Sequence, residues 1–191
     1  MQRIGTDGRK RIIFAVIFVV IALVLILVDR LTKNYFAKLF EYNFDTYQRK
    51  YVINNFFFFT LKANEGAAWS FLSNKNWAQT FFKILTVVAL VVISFAFYFG
   101  VKKNAKWLQS GLSLMFAGAI GNFIDRLAFN YVIDFIGFKF GNYVFPIFNV
   151  ADICLCVGTI MIVIYLLFLD NNAIFKRNEK NKDSNEKQPA D

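Results

Sequence analysis

Four apolar runs, at residues 12–28, about 77–101, 108–124 and 153–169, constrain this chain more than anything else in it. Each approaches the roughly 20 residues that an α-helix needs to cross a hydrocarbon core. A spanning segment must satisfy its own backbone hydrogen bonds, and a run of that length does so as a helix. Composition agrees: 191 residues that are 57% hydrophobic and 19% aromatic, with 25 Phe, are too apolar for an ordinary water-soluble domain. The expectation is an all-α membrane protein with four transmembrane helices.

The first run follows Arg3, Arg9, Lys10 and Arg11 as the core of a secretory signal follows its basic leader. It exceeds the usual core of about 7–15 residues, and Asp29-Arg30 stands where a small-residue cleavage site would, so it reads as an uncleaved anchor. Lys and Arg near helix ends set orientation. With four crossings the N-terminus, the turn holding Lys102, Lys103 and Lys106, and the tail holding Lys176, Arg177, Lys180, Lys182 and Lys187 share one side. Both termini are therefore expected in the cytoplasm, although residues 29–76 carry seven diluted basic residues. The net charge of +9 gathers at membrane ends without a recognition motif. Topogenesis and attraction to anionic lipid account for it, and nucleic acid is not an expected partner.

Between the first two runs, "YVINNFFFFTLKANEGAAWSFL" leads from β-branched and aromatic residues into the turn formers Asn64 and Gly66. Residues 41–76 are expected to form a small extracytoplasmic β element, a short strand or two on the membrane surface. Its phenylalanines at 56–59 should pack on helix ends or dip into the lipid interface. The membrane domain is expected over 1–171, followed by a disordered charged cytoplasmic tail over 172–191. Cys154 and Cys156 read as buried small hydrophobes. The absence of His excludes Ser-His-Asp and Cys-His systems and the usual zinc sites, and neither metal nor cofactor is expected.

Against this apolar background, "GNFIDRLAFNYVIDFI" at 121–136 holds two aspartates, an arginine and two asparagines. Crossing one ends at Asp29, crossing three ends at Asp125-Arg126, and crossing four begins near Asp152, all on the side away from the termini. Asp134 lies on the same side. Asn122, Asp125 and Arg126 stand at i, i+3 and i+4 and share a helix face. Asn149 and Asp152 repeat the Asn-x-x-Asp spacing, and Asp29 and Lys33 stand at i and i+4, as a helix ion pair does. Asp125 and Asp134 are nine residues apart, so one continuous helix would turn them to opposite faces. The helix must break between them, and Asn130 is the expected place.

A structural role suits Asp29 with Lys33, and Asp125 paired with its neighbour Arg126. Asp134 in "YVIDFIGF" and Asp152 in "FNVADICL" differ, because neither has an adjacent basic residue. Ionisable groups at membrane depth are expensive and tend to be functional. Two facing carboxylates cannot both ionise easily, so one keeps a proton while the other acts as a base. Such a pair can activate water against a peptide carbonyl and protonate the leaving amine, titrating as a unit. Two rivals remain at this point. One is a Ser-Lys peptidase using Ser70 with Lys33 or Lys62. The other is a small transporter or channel whose aspartates relay ions, which conflicts with the nearly unbroken apolar cores of crossings one, two and four.

"DRLTK" at 29–33, "NEGAAWS" at 64–70, "GAIGNFIDRLAFNYVIDFI" at 118–136 and "FPIFNVADICLCVG" at 145–158 resemble, in order, the motif set of the lipoprotein signal peptidase (signal peptidase II) family. The resemblance implies a bacterial inner-membrane aspartic endopeptidase with its site near the outer leaflet. Such an enzyme cuts prolipoproteins before a diacylglyceryl-modified cysteine, and it is expected to act as a monomer among membrane lipid. It places the catalytic pair on Asp134 and Asp152 and supporting roles on Asp29, Lys33, Asn64, Gly66, Asn122, Asp125, Arg126 and Asn149. It also implies a short outer helical segment beside the β element. Three positions depart from the family's habit: Trp69 for Phe, Arg30 for Gln and Asn130 for Gly. Gly111, Gly118 and Gly121 would let the third helix approach a neighbour closely.

Overall fold

The computed structural model of the chain describes residues 3–44, 48–66 and 77–170, the side chains of 3–7 excepted. Ser70, Trp69 and the tail over 172–191 lie outside the described residues. Helix α1 spans Arg3–Leu39, α2 Ala78–Lys102, α3 Lys106–Phe129 and α4 Val150–Ile164, the last prolonged by a π-helical turn at Tyr165–Leu169. All four helices are long and apolar enough to cross a membrane. Their outward faces are apolar too: Leu23, Val92 and Ile160 are 60%, 61% and 53% exposed. In water each such side chain would forgo about 1.5–3 kcal/mol of burial. Against acyl chains nothing is lost.

Helix α3 is central and packs on each of the other three. Its apolar character is diluted by the buried polar residues Gln109, Ser113, Asn122 and Asp125, each of which hydrogen-bonds inside the bundle, Gln109 through Nε2 to Gly100 O. Small residues permit the close packing. A Cβ on Gly118 would fall on the carbonyl oxygen of Ala151 in α4, and one on Gly111 would lie 3.1 Å from Gly158 O. Helix association within lipid depends on this kind of backbone approach.

The helix α1 does not stop where its apolar run ends at Val28. It continues to Leu39, because Asp29, Arg30 and Lys33 find partners inside the bundle and Phe36 and Ala37 enter a core beneath the sheet. Helix α3 ends at Phe129, with Asn130 in the left-handed conformation at φ 63°, which is the break the spacing requires.

The sheet has four antiparallel strands in the order β1 (Lys50–Ile53), β2 (Phe57–Asn64), β3 (Val132–Phe140) and β4 (Tyr143–Val144). The first two match the expected strands, and β3 and β4 extend the element beyond it. Residues 132–135 of β3 are buried in succession without alternation, because the strand is covered on both faces. Phe36 of α1 stacks on Phe135 of β3 and packs at a tilt against Phe59 of β2, with ring centroids 4.4 Å apart in each case. The phenylalanine block thus divides: Phe58 is buried, Phe59 packs on the end of α1, and Phe56 is turned outward. Gly137 is required where it stands, since a Cβ there would collide with the Phe58 ring.

One expectation needs correction. Cys154 is buried but Cys156 is exposed, because two residues of helix rotate a side chain by more than half a turn. The implied short outer helical segment is not among the described residues.

Candidate active site

The sheet and the ends of α1, α3 and α4 enclose a polar centre at one end of the bundle. Its foundation is a cluster of four charges. Lys33 Nζ lies 2.8 Å from Asp29 Oδ2 and 2.8 Å from Asp125 Oδ2, and Arg30 pairs with Asp125 from the same helix turn. Lys33 and Asp125 are completely buried. Two acids and two bases balance, which is how ionised groups survive this far from water. Each acid also ties down backbone. Asp29 Oδ1 accepts the N–H of Ala151 at the start of α4 (3.0 Å), and Asp125 Oδ2 accepts that of Ile133 in β3 (3.2 Å).

Above this cluster two asparagines connect the remaining carboxylates. Asn149 is the N-cap of α4: its Oδ1 accepts Asp152 N–H at 2.9 Å, while Asp152 Oδ2 accepts Asn149 N–H at 3.1 Å. This reciprocal cap explains the Asn-x-x-Asp spacing. The Nδ2 of Asn149 donates to Asp134 Oδ1 at 2.7 Å. Asn122 in α3 donates Nδ2 to Asp152 Oδ1 at 2.8 Å. From β2, Asn64 donates Nδ2 to Asp134 Oδ2 at 2.9 Å and accepts Gly66 N–H at 3.1 Å.

Every described oxygen of the two carboxylates thus accepts an N–H, and both residues share Asn149. Asp134 is buried on β3, whereas Asp152 is partly open. Burial pushes the Asp134 carboxyl up to about 8, and the like charge of Asp152 pushes the same way, against the amides of Asn64 and Asn149 and the charge of Lys33. At neutral pH Asp134 therefore carries a proton, which lets two carboxyl groups occupy one site.

All ten residues singled out from the sequence converge on this end of the fold. One pairing is different. Asp125 does not pair with its neighbour Arg126 but with Lys33 and Arg30, while Arg126 donates Nη2 to Gly66 O at 3.3 Å and lies 5.3 Å above the Phe82 ring of α2. Adjacent residues on a helix point about 100° apart, so adjacency favours separate partners. Arg30 was missed as part of the centre, and so was Lys83 of α2, which donates to Asn130 Oδ1 at 2.8 Å and fastens the end of α3.

Comparison with known proteins bears on the same region. Residues 21–168 match the family model for signal peptidase (SPase) II. A lipoprotein signal peptidase of Staphylococcus haemolyticus is 40% identical over 158 residues, covering 83% of this chain and 95% of the relative. One of Bacillus pumilus is 43% identical over 150 residues, covering 78% and 92%. A solved bacterial membrane enzyme superposes with a TM-score of 0.67 at 35% identity, over 91% of this chain and 93% of that one. A second gives 0.64 at 36% identity, over 80% and 94%.

Proposed function

Because the chain belongs to the lipoprotein signal peptidase (signal peptidase II) family, we propose that its Asp134 and Asp152 form an aspartic dyad that removes signal peptides from bacterial prolipoproteins. As a member it is a multi-pass bacterial membrane protease of lipoprotein processing. The proposal concerns how it cuts and where.

The observation that supports the dyad is the sharing of Asn149 by two carboxylates that stand otherwise free of any cation within salt-bridge distance among the described residues. The more open Asp152 takes a proton from a water as its oxygen attacks the scissile carbonyl carbon. Protonated Asp134 donates to the carbonyl oxygen, giving a neutral tetrahedral diol. The pair then returns a proton to the leaving nitrogen as the C–N bond breaks, and it regains its single shared proton. The scissile bond is the one before the diacylglyceryl-modified cysteine.

The supporting set divides by contact. Asn64, Asn122 and Asn149 aim the carboxylates; Asp29, Lys33 and Asp125 hold the three elements that carry them; Arg126 ties α3 to Gly66, two residues past β2. The distribution of Lys and Arg supports cytoplasmic termini and a site near the outer leaflet of the inner membrane, where a lipidated cleavage point emerges while its acyl chains stay in lipid. The enzyme is proposed to act as a monomer. The test is purified Asp134→Asn and Asp152→Asn against a diacylglyceryl-modified precursor. Both are expected to be folded and inactive, and turnover by either one removes the dyad.

A further inference from the structure

Lys33 is fully buried, and it lies in a centre where its charge reaches both members of the proposed dyad without touching either. Its Nζ lies in ion-pair contact 2.8 Å from Asp29 Oδ2 and 2.8 Å from Asp125 Oδ2, and it donates to Asn122 Oδ1 at 3.1 Å. The contact with Asp29 stays within α1, and that with Asp125 joins α1 to α3. The third goes to an uncharged amide whose other end faces Asp152.

That third contact settles something about Asn122. An amide can be turned end for end, and only its partners decide which end faces the carboxylate. A cation on Oδ1 leaves Nδ2 for Asp152, 2.8 Å away. The other donor to Asn122 Oδ1 is Asn149 Nδ2 at 3.1 Å, but that group has two hydrogens for three acceptors, Asp134 Oδ1 at 2.7 Å, Asn122 Oδ1 and Ile133 O at 3.3 Å. Asn149 therefore cannot secure Asn122 fully, and Lys33 can.

We propose that Lys33 is a positioning residue for cleavage, acting on the dyad through Asn122 by fixing the amide so that it donates to Asp152 and by adding its own charge to that donation. The inference rests on the dyad reading above. It separates Lys33 from Asp29 and Asp125, whose contacts go to Lys33, Arg30 and backbone N–H groups. Losing Lys33 would free Asn122 to offer Asp152 an oxygen, and would withdraw the cation that favours an ionised dyad.

The experiment is kcat and KM between pH 5 and 9 for full-length Lys33→Met with a diacylglyceryl-modified precursor. The charged groups facing Lys33 are Asp29 and Arg30 from α1, Asp125 and Arg126 from α3, Asp134 from β3 and Asp152 from α4. The expected result is kcat lower by about ten-fold or more with KM little changed, and an acidic limb of the kcat profile moved up by about one pH unit. A purely structural lysine would lower the amount of active enzyme and leave the limb in place, and that result overturns the proposal. Lys33→Met leaves two buried acids facing one base and can fail to fold. Asp29→Asn with Lys33→Met is then read against Asp29→Asn alone, since this pair of changes keeps the charges balanced; an unmoved limb overturns the proposal there as well. If Asp134→Asn or Asp152→Asn turns over the precursor, the dyad itself has failed. If both are inactive and the limb is unmoved, only the assignment of Lys33 has.

Discussion

Asn149 Nδ2 lies 2.7 Å from Asp134 Oδ1, while Oδ1 of the same side chain receives the backbone N–H of Asp152 at 2.9 Å. One amide thus sets β3 and the first turn of α4 in register. Asn149→Ala should lose about 1 kcal/mol of helix capping. It should also lower kcat by about 10²-fold, since small displacements of reacting groups have effects of that size. Thermal melting in detergent and turnover of a lipidated precursor measure the two effects. A variant destabilised to this degree with unimpaired kcat would show that Asn149 caps a helix and does nothing for the carboxylates.

The raised Asp134 carboxyl gives the pH dependence a sign. The proposed mechanism uses Asp134 in its protonated form, so activity should fall as pH rises through about 8. Stability follows the same proton. A group whose folded value lies above its ordinary 3.8 contributes stability that is complete below that value and lost as pH rises through about 8. The melting temperature of the parent should therefore decline across this interval, and Asp134→Asn should be the more stable protein at pH 9. Parallel melting profiles for the two proteins would contradict the assignment.

Much of the centre was legible because carboxylates are conspicuous in apolar sequence. Asp134 and Asp152 stand out by lacking basic neighbours, Asn130 by lying where a helix must turn, and Asn149 by its capping distance from Asp152. Arg30 was not legible. Whether a charge after an anchor meets solvent or Asp125 depends on the rotation of α1 against α3, which local sequence does not encode. The expected Asp125–Arg126 pair failed for a related reason, since proximity along a helix is not proximity of side chains. Strand β3 was hidden because an apolar run covered on both faces shows no alternation to read.

Asp125 pairs with Lys33 and Arg30 and accepts the N–H of Ile133, so its charge is heavily engaged. Asp125→Asn leaves Arg30 without a full partner and unbalances a buried cluster. A loss of about 3–5 kcal/mol is expected for breaking such a network. The folded fraction should still cleave substrate, because Asp125 touches neither Asp134 nor Asp152. Specific activity corrected for folded protein distinguishes the two effects, and a normal melting temperature with abolished kcat would make Asp125 a reacting group.

A serine mechanism would need Ser70, outside the described residues, with Lys33 or Lys62 as its base. Lys33 Nζ is already engaged by Asp29 and Asp125 in ion pairs and by Asn122 in a hydrogen bond, so it has partners other than a serine hydroxyl. Ser70→Ala should therefore cleave the precursor at a rate within about two-fold of the parent, and chelators should leave that rate unchanged. An inactive but folded Ser70→Ala would favour the serine reading over the aspartic one.

Gly118 joins the membrane helices to the chemistry. A Cβ at this position would fall on the carbonyl oxygen of Ala151 and lie 2.8 Å from Leu155 Cγ, so even alanine would push α3 away from α4. One helical turn away, a Cβ on Gly121 would lie 2.6 Å from Asp29 Oδ2 and 3.0 Å from Ala151 Cβ, and Asn122 follows immediately with its bond to Asp152. Separating the helices at Gly118 therefore stretches the contact that aims the first turn of α4. Gly118→Leu should reduce folded yield, because backbone cannot yield as a flexible side chain can. The milder Gly118→Ala should accumulate but lose activity in proportion to the displacement, by about 10²-fold for a shift near 1 Å. Fluorescence-detected size exclusion reports the yield and precursor turnover reports the activity. Normal accumulation of Gly118→Leu would show that α3 and α4 do not pack with the intimacy described.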